Sequence, residues 1–165
     1  MNNITILERF KILCKITIPF IIVYLLMAYV LGIVIIRGDS MLPTYADCDT
    51  VLILRIGYTP DYGDVLVCSS SNYPIIKRVV GKPGDIIDIQ DSVINVNGKP
   101  TSIIDSVSQL DYAIEMPHTV ADNSYFVVGD NHTASRDSRF NDIGDIHHKN
   151  IKGKVILTLR RATNG

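Results

Sequence analysis

Residues 74–90 read Pro74-Ile75-Ile76-Lys77-Arg78-Val79-Val80-Gly81-Lys82-Pro83-Gly84-Asp85-Ile86-Ile87-Asp88-Ile89-Gln90. β-Branched residues crowd both ends, and Lys82-Pro83-Gly84-Asp85 interrupts them with one residue that fixes its backbone angle and one that turns freely. The stretch predicts strand, turn, strand. In a strand over 74–80, Ile75, Lys77 and Val79 share one face, and Ile76, Arg78 and Val80 share the other. Working outward, short apolar runs recur at 51–56, 64–68, 93–96, 125–128 and 155–160, with Thr59-Pro60-Asp61-Tyr62-Gly63 and Asn97-Gly98 between them. None sustains the three-to-four spacing of an amphipathic helix. Residues 37–165 are therefore expected to form a mostly β domain. The segment 101–123 has mixed polarity and no period, and is expected to be a long loop or irregular insertion.

Ahead of this domain the composition changes. From Ile16 to Ile36 no side chain is charged, and Ile, Leu, Val, Phe, Tyr and Met dominate. As a helix this run spans roughly 30 Å, the thickness of a bilayer core. A cleavable leader needs a shorter apolar core and small residues at its end; Tyr24, Tyr29 and the exit through Ile35, Ile36 and Arg37 supply neither. The expected organisation is a tail over 1–15, a transmembrane anchor over 16–36 and an outer domain over 37–165. Arg9, Lys11 and Lys15 outnumber Glu8 in the tail, which places the N-terminus in the cytoplasm and the domain outside. Ile4, Leu7, Phe10 and Leu13 have a spacing that suits a helix lying on the membrane surface.

The anchor accounts for 47% hydrophobic residues and a positive mean hydropathy in a chain of only 165 residues. With a formal net charge of -1, the chain has no basic field of the kind a nucleic-acid partner requires. Of its three cysteines, Cys14 falls in or beside the anchor, leaving Cys48 and Cys68 as the two that an oxidising compartment would allow to pair.

Three segments hold the chemistry. Arg37-Gly38-Asp39-Ser40-Met41-Leu42-Pro43-Thr44 stands where the anchor ends, and its serine lacks the G-x-S-x-G elbow. Lys77 lies among β-branched neighbours on its strand face. Burial there would disfavour its ammonium form and lower its pKa, and a lysine must reach the neutral form before it can accept a hydroxyl proton. Tyr125-Phe126-Val127-Val128 then runs into Gly129-Asp130-Asn131-His132-Thr133-Ala134-Ser135-Arg136-Asp137-Ser138-Arg139, a loop dense in hydroxyl, carboxylate and guanidinium groups. Taken singly, each has a bland reading: a turn serine, a lysine snorkelling from a surface strand, and an exposed ion pair worth little.

In this order behind an N-terminal anchor, the three segments resemble the boxes of the bacterial type I signal peptidases. Gly38–Thr44 is similar to G-D-S-M-x-P-T, 76–85 to I-K-R-V-V-G-x-P-G-D, and 129–139 to G-D-N-x-x-x-S-x-D-S-R. The resemblance implies antiparallel β-sheets, a serine endopeptidase with no metal and no cofactor, and exported precursor proteins as substrates at a lipid bilayer. It implies Ser40 as nucleophile, Lys77 as general base, Ser135 as the residue that hydrogen-bonds and orients the lysine, Asp137 and Arg139 as a structural ion pair, and Met41 as part of the substrate pocket. Two positions depart from the pattern. Gly38 stands where some members carry a serine that helps bind the oxyanion, so backbone N–H groups near Ser40 must do more of that work. His132 stands where arginine is frequent and offers a second base. Three other readings compete: a relative dedicated to one pilin or conjugation substrate, an inactive tethered β module that binds exported peptides, and a serine enzyme using His132 with Asp130 or Asp137.

Overall fold

The computed structural model describes residues 5–70, 74–104 and 114–160. Ile4, Tyr73 and residues 105–113 of the segment expected to be irregular lie outside the described residues. The chain begins with helix α1, Ile6–Val30, in which the Glu8 carboxylate accepts the Thr5 backbone N–H at 3.0 Å. At 25 residues it is about 37 Å long. It is long and apolar enough to cross a membrane, and none of its most apolar window is buried against the rest of the chain.

The structure divides the N-terminal region differently from the sequence pattern. No break separates a surface-lying tail from the span, because α1 runs through residue 15 without interruption. The uncharged run 16–36 is itself split at Val30. Its last part forms β1, Leu31–Ile35, which pairs antiparallel with β2, Thr50–Leu54, in the register Ile33↔Leu52. The Val30 carbonyl accepts the Arg55 backbone N–H at 2.8 Å, so the sheet takes over the hydrogen bonding that the next helical turn would have supplied.

The remaining strands are β3, Val65–Ser69; β4, Pro74–Gly81; β5, Ile86–Gln90; β6, Val93–Val96; β7, Lys99–Pro100; β8, His118–Thr119; β9, Ser124–Val128; β10, Ile146–His147; and β11, Ile151–Arg160. Among the described residues they make two antiparallel sheets, one ordered β1-β2-β11-β3-β4-β9-β10 and one β7-β6-β5-β8. Ile146 to His147 and His118 to Thr119 add short edge strands where the sequence has no alternation long enough to read.

The two sheets close on an apolar cluster of Val80, Ile87, Ile89, Ile94, Val120, Phe126 and Val128. A second cluster, of Ile36, Met41, Val51, Ile53, Val65, Val67 and Val155, fills the space beneath the segment that follows β1. Along β4 the alternation holds through Val79, since Ile75, Lys77 and Val79 are buried while Ile76 and Arg78 are half-exposed, but Val80, on the face of the latter two, is buried in the cluster between the sheets. Cys68 is buried, Cys48 is exposed, and both are free thiols.

Candidate active site

Ser40 sits on a turn that begins where β1 ends. Two buried apolar side chains, Ile36 and Met41, flank the turn and lock it onto the core. Between them Gly38 adopts φ +80°, and its N–H donates to the Asp47 carboxylate at 2.8 Å. Such a backbone angle suits glycine, which explains why the residue two before the serine carries no side chain here.

Lys77 approaches Ser40 from the middle of β4. Its side chain is only 3% exposed, and its Nζ donates to Ser40 Oγ at 2.7 Å and to the Ile76 carbonyl at 3.0 Å. Burial lowers its pKa below the ordinary lysine value, against the pull of the Asp137 carboxylate, which favours the ammonium. A neutral amine at that distance from a hydroxyl can take its proton.

The loop after β9 backs this pair. Asp137 is fully buried and joined to Arg139 by Nε–Oδ1 at 2.8 Å and Nη2–Oδ2 at 3.0 Å. It also accepts the Gly129 N–H at 3.0 Å and the Ser135 hydroxyl at 2.6 Å. Ser135 was expected to hydrogen-bond Lys77; the bond present is to Asp137, and none to Lys77 is found among the described residues. The reason is geometric: the carboxylate lies two residues away on the same loop, within 2.6 Å of the hydroxyl. Ser135 thus stands behind the lysine through Asp137.

Sequence reading missed a second ion pair. Arg78, next to the lysine, makes a bidentate contact to Asp130, and Thr44 Oγ1 donates to the same carboxylate. The pair ties strand, loop and serine turn together. With Asp130 held by Arg78 and Asp137 by Arg139, neither carboxylate orients His132, whose buried Nδ1 has no hydrogen-bond partner. The arrangement needed for a Ser-His-Asp triad is absent among the described residues.

A groove of about 500 Å³ opens over the pair, with Ile35, Ile36, Met41, Val67 and Ile76 among its walls and Ser40 and Lys77 in its lining. Met41 is among the residues lining this groove. Among the described residues no group of three or more His, Cys, Asp or Glu is arranged to hold a metal ion.

An apolar groove thus carries a hydroxyl and a buried amine in its wall. The chain belongs to the signal peptidase family, peptidase S26, and to its bacterial type I signal peptidases: the family model matches residues 9–159. It is 29% identical over 154 residues to signal peptidase I S of Bacillus subtilis (strain 168), covering 84% of this chain and 82% of that protein. It is 30% identical over 131 residues to signal peptidase I of Bacillus amyloliquefaciens, covering 72% and 70%. Signal peptidase IB of Staphylococcus aureus (strain Mu50 / ATCC 700699) is 29% identical over 170 residues, covering 90% and 87%. A solved signal peptidase I from Enterococcus faecalis V583 has a TM-score of 0.49 and 27% identity, over 61% of this chain and 98% of that one. Membership of this family supports an enzyme over the reading as a non-enzymatic binding module.

Proposed function

We propose that this peptidase is a membrane-anchored serine endopeptidase that removes signal peptides from exported precursors, with Ser40 as nucleophile and Lys77 as general base. The observation that carries the proposal is the 2.7 Å separation of Lys77 Nζ and Ser40 Oγ at a lysine that burial drives toward its neutral form. The neutral amine keeps one hydrogen on the Ile76 carbonyl and turns its lone pair to the hydroxyl. Ser40 Oγ then bonds to the scissile carbonyl carbon while its proton passes to Nζ. Collapse of the tetrahedral intermediate breaks the C–N bond, and the ammonium returns that proton to the departing amine. A water, deprotonated by the same amine, hydrolyses the acyl ester and restores Ser40.

The groove supports an extended substrate with small apolar residues, because its walls come from the strand ends at 34–36 and 74–77. From Ile16 onward helix α1 carries no charged side chain and is unburied, which suits lipid as its surroundings. With Lys11 and Lys15 before the span, the tail lies in the cytoplasm and the β domain outside. Ser40 follows α1 by a single strand, so cleavage takes place near the membrane surface.

Detergent-purified protein incubated with a preprotein bearing an Ala-x-Ala site, followed by mass analysis of the new N-terminus, tests the function. Release of the mature chain with its N-terminus directly after that site is expected. An intact precursor, or cleavage elsewhere that persists in Ser40→Ala, would overturn it.

A further inference from the structure

We propose that Asn131 is a positioning residue that aims the Ser40 backbone N–H at the developing oxyanion; this rests on Ser40 acting as the nucleophile. Asn131 touches the serine turn twice. Its side-chain Nδ2 donates to the Asp39 carbonyl at 3.1 Å, and its backbone N–H donates to the Ser40 carbonyl at 3.0 Å. The amide cannot be reversed without loss, because its Oδ1 accepts the Thr133 hydroxyl at 2.9 Å. A flipped amide would set oxygen against the Asp39 carbonyl.

The consequence follows from the planarity of the peptide bond. The Asp39 carbonyl and the Ser40 N–H belong to one rigid trans unit and point in opposite directions. Holding the oxygen fixes where the hydrogen points. The same carbonyl also accepts the Leu42 N–H at 3.2 Å, so both of its lone pairs are engaged and the plane is held from two sides. Asn131's second bond fixes the next plane, through the Ser40 carbonyl.

Three of the other backbone donors around the turn are already engaged. The Gly38 N–H is committed to Asp47, the Leu42 N–H to Asp39 and the Tyr45 N–H to Met41. The Ser40 N–H donates to no acceptor among the described residues and belongs to a residue lining the groove. Because position 38 contributes no hydroxyl, stabilisation of the oxyanion depends on the direction of this backbone donor. Asn131 itself is not among the residues that line the groove.

Three measurements on the full-length protein test this: kcat and KM for a peptide substrate, the inhibition constant of a peptide aldehyde that forms a tetrahedral adduct with Ser40, and the pH profile. Asn131→Ala should lower kcat on the order of 10- to 100-fold with KM unchanged. The aldehyde should weaken by the same factor, and the pH limb that reports Lys77 should stay in place. Thr133→Val, at an exposed position, should reproduce a smaller loss of the same kind, and decides the matter if Asn131→Ala does not fold. Unchanged kcat in the folded variant, or a loss confined to KM or matched by a moved pH limb, overturns the inference. If Ser40→Ala still cleaves, the nucleophile assignment fails instead, and that result is distinct from an inactive Ser40→Ala beside a fully active Asn131→Ala.

Discussion

Gly129→Ala is the smallest change that should disable the site, because the added methyl meets both halves of the machinery at once. A Cβ built on Gly129 falls 2.5 Å from the Ser40 carbonyl oxygen and 2.6 Å from Ser135 Cβ, and closer still to Ser135 Oγ. Ordinary contact begins near 3.4 Å, so the Ser40 carbonyl oxygen must retreat by roughly 0.9 Å and Ser135 Oγ by roughly 1.2 Å. Neither is free to do so cheaply. Ser135 is held by the buried Asp137, and the Ser40 carbonyl by the Asn131 N–H. Overpacking of this kind costs about 1–3 kcal/mol. If the serine yields, a displacement near 1 Å takes Oγ out of its 2.7 Å contact with Lys77, and a misplacement of that size costs on the order of 100-fold in turnover. The assay pairs initial rates of peptide cleavage with thermal denaturation in detergent. A folded Gly129→Ala that cleaves at the wild-type rate would refute the reasoning.

Further outcomes follow from the same geometry. Asp137→Ala or Arg139→Ala strands a buried charge and should cost roughly 3–5 kcal/mol, read as a lowered thermal midpoint alongside lost activity; a variant that loses turnover at full stability would give that residue a direct role. Cleavage should rise with pH through a value below the ordinary lysine value of 10.5, because burial lowers the Lys77 pKa and the neutral amine is the working form; a limb that vanishes in His132→Ala would move the base to histidine. Between that lowered value and 10.5 the unfolded chain binds more protons than the folded one, so stability rises with pH. Lys77→Met removes this contribution, and its stability advantage in denaturant titrations should be full below the lowered pKa and shrink as pH climbs. Gly38→Ser should lose about 1–2 kcal/mol, since its +80° backbone angle disfavours a side chain, and should not raise turnover; a faster, equally stable variant would contradict that. In sealed right-side-out vesicles, added protease should digest the β domain and spare the tail; protection of the domain would reverse the topology.

Parts of this architecture were legible in the sequence and parts were not, for physical reasons. The strand carrying Lys77 was readable because alternation over 74–80 fixes which side chains share a face, and the turn at 82–85 announces itself by Pro83 and Gly84. β1 was not readable, because Leu31–Ile35 has the same composition as the helix before it and differs only in finding β2 as a partner. The short strands at 118–119 and 146–147 carry no period at all. In the site, the three segments could be recognised together, by their order, but the pairing of Arg78 with Asp130 joins residues far apart in sequence, and neither announces the other. The Asp137–Arg139 pair was visible as a structural pair; only packing reveals that it is buried. Asn131 resembles any loop asparagine until its two carbonyl contacts are seen.

The central claim is that Ser40 and Lys77 share a single chemical step, and a double-mutant cycle on preprotein cleavage tests it most directly. Ser40→Ala, Lys77→Met and the double variant are purified in detergent, checked for folding, and assayed for the mature N-terminus by mass. Each single variant should fall to a similar residual rate, with the double variant no slower than either, because neither group acts without the other. Substantial cleavage by folded Lys77→Met, or a double variant far below both single ones, would contradict the account.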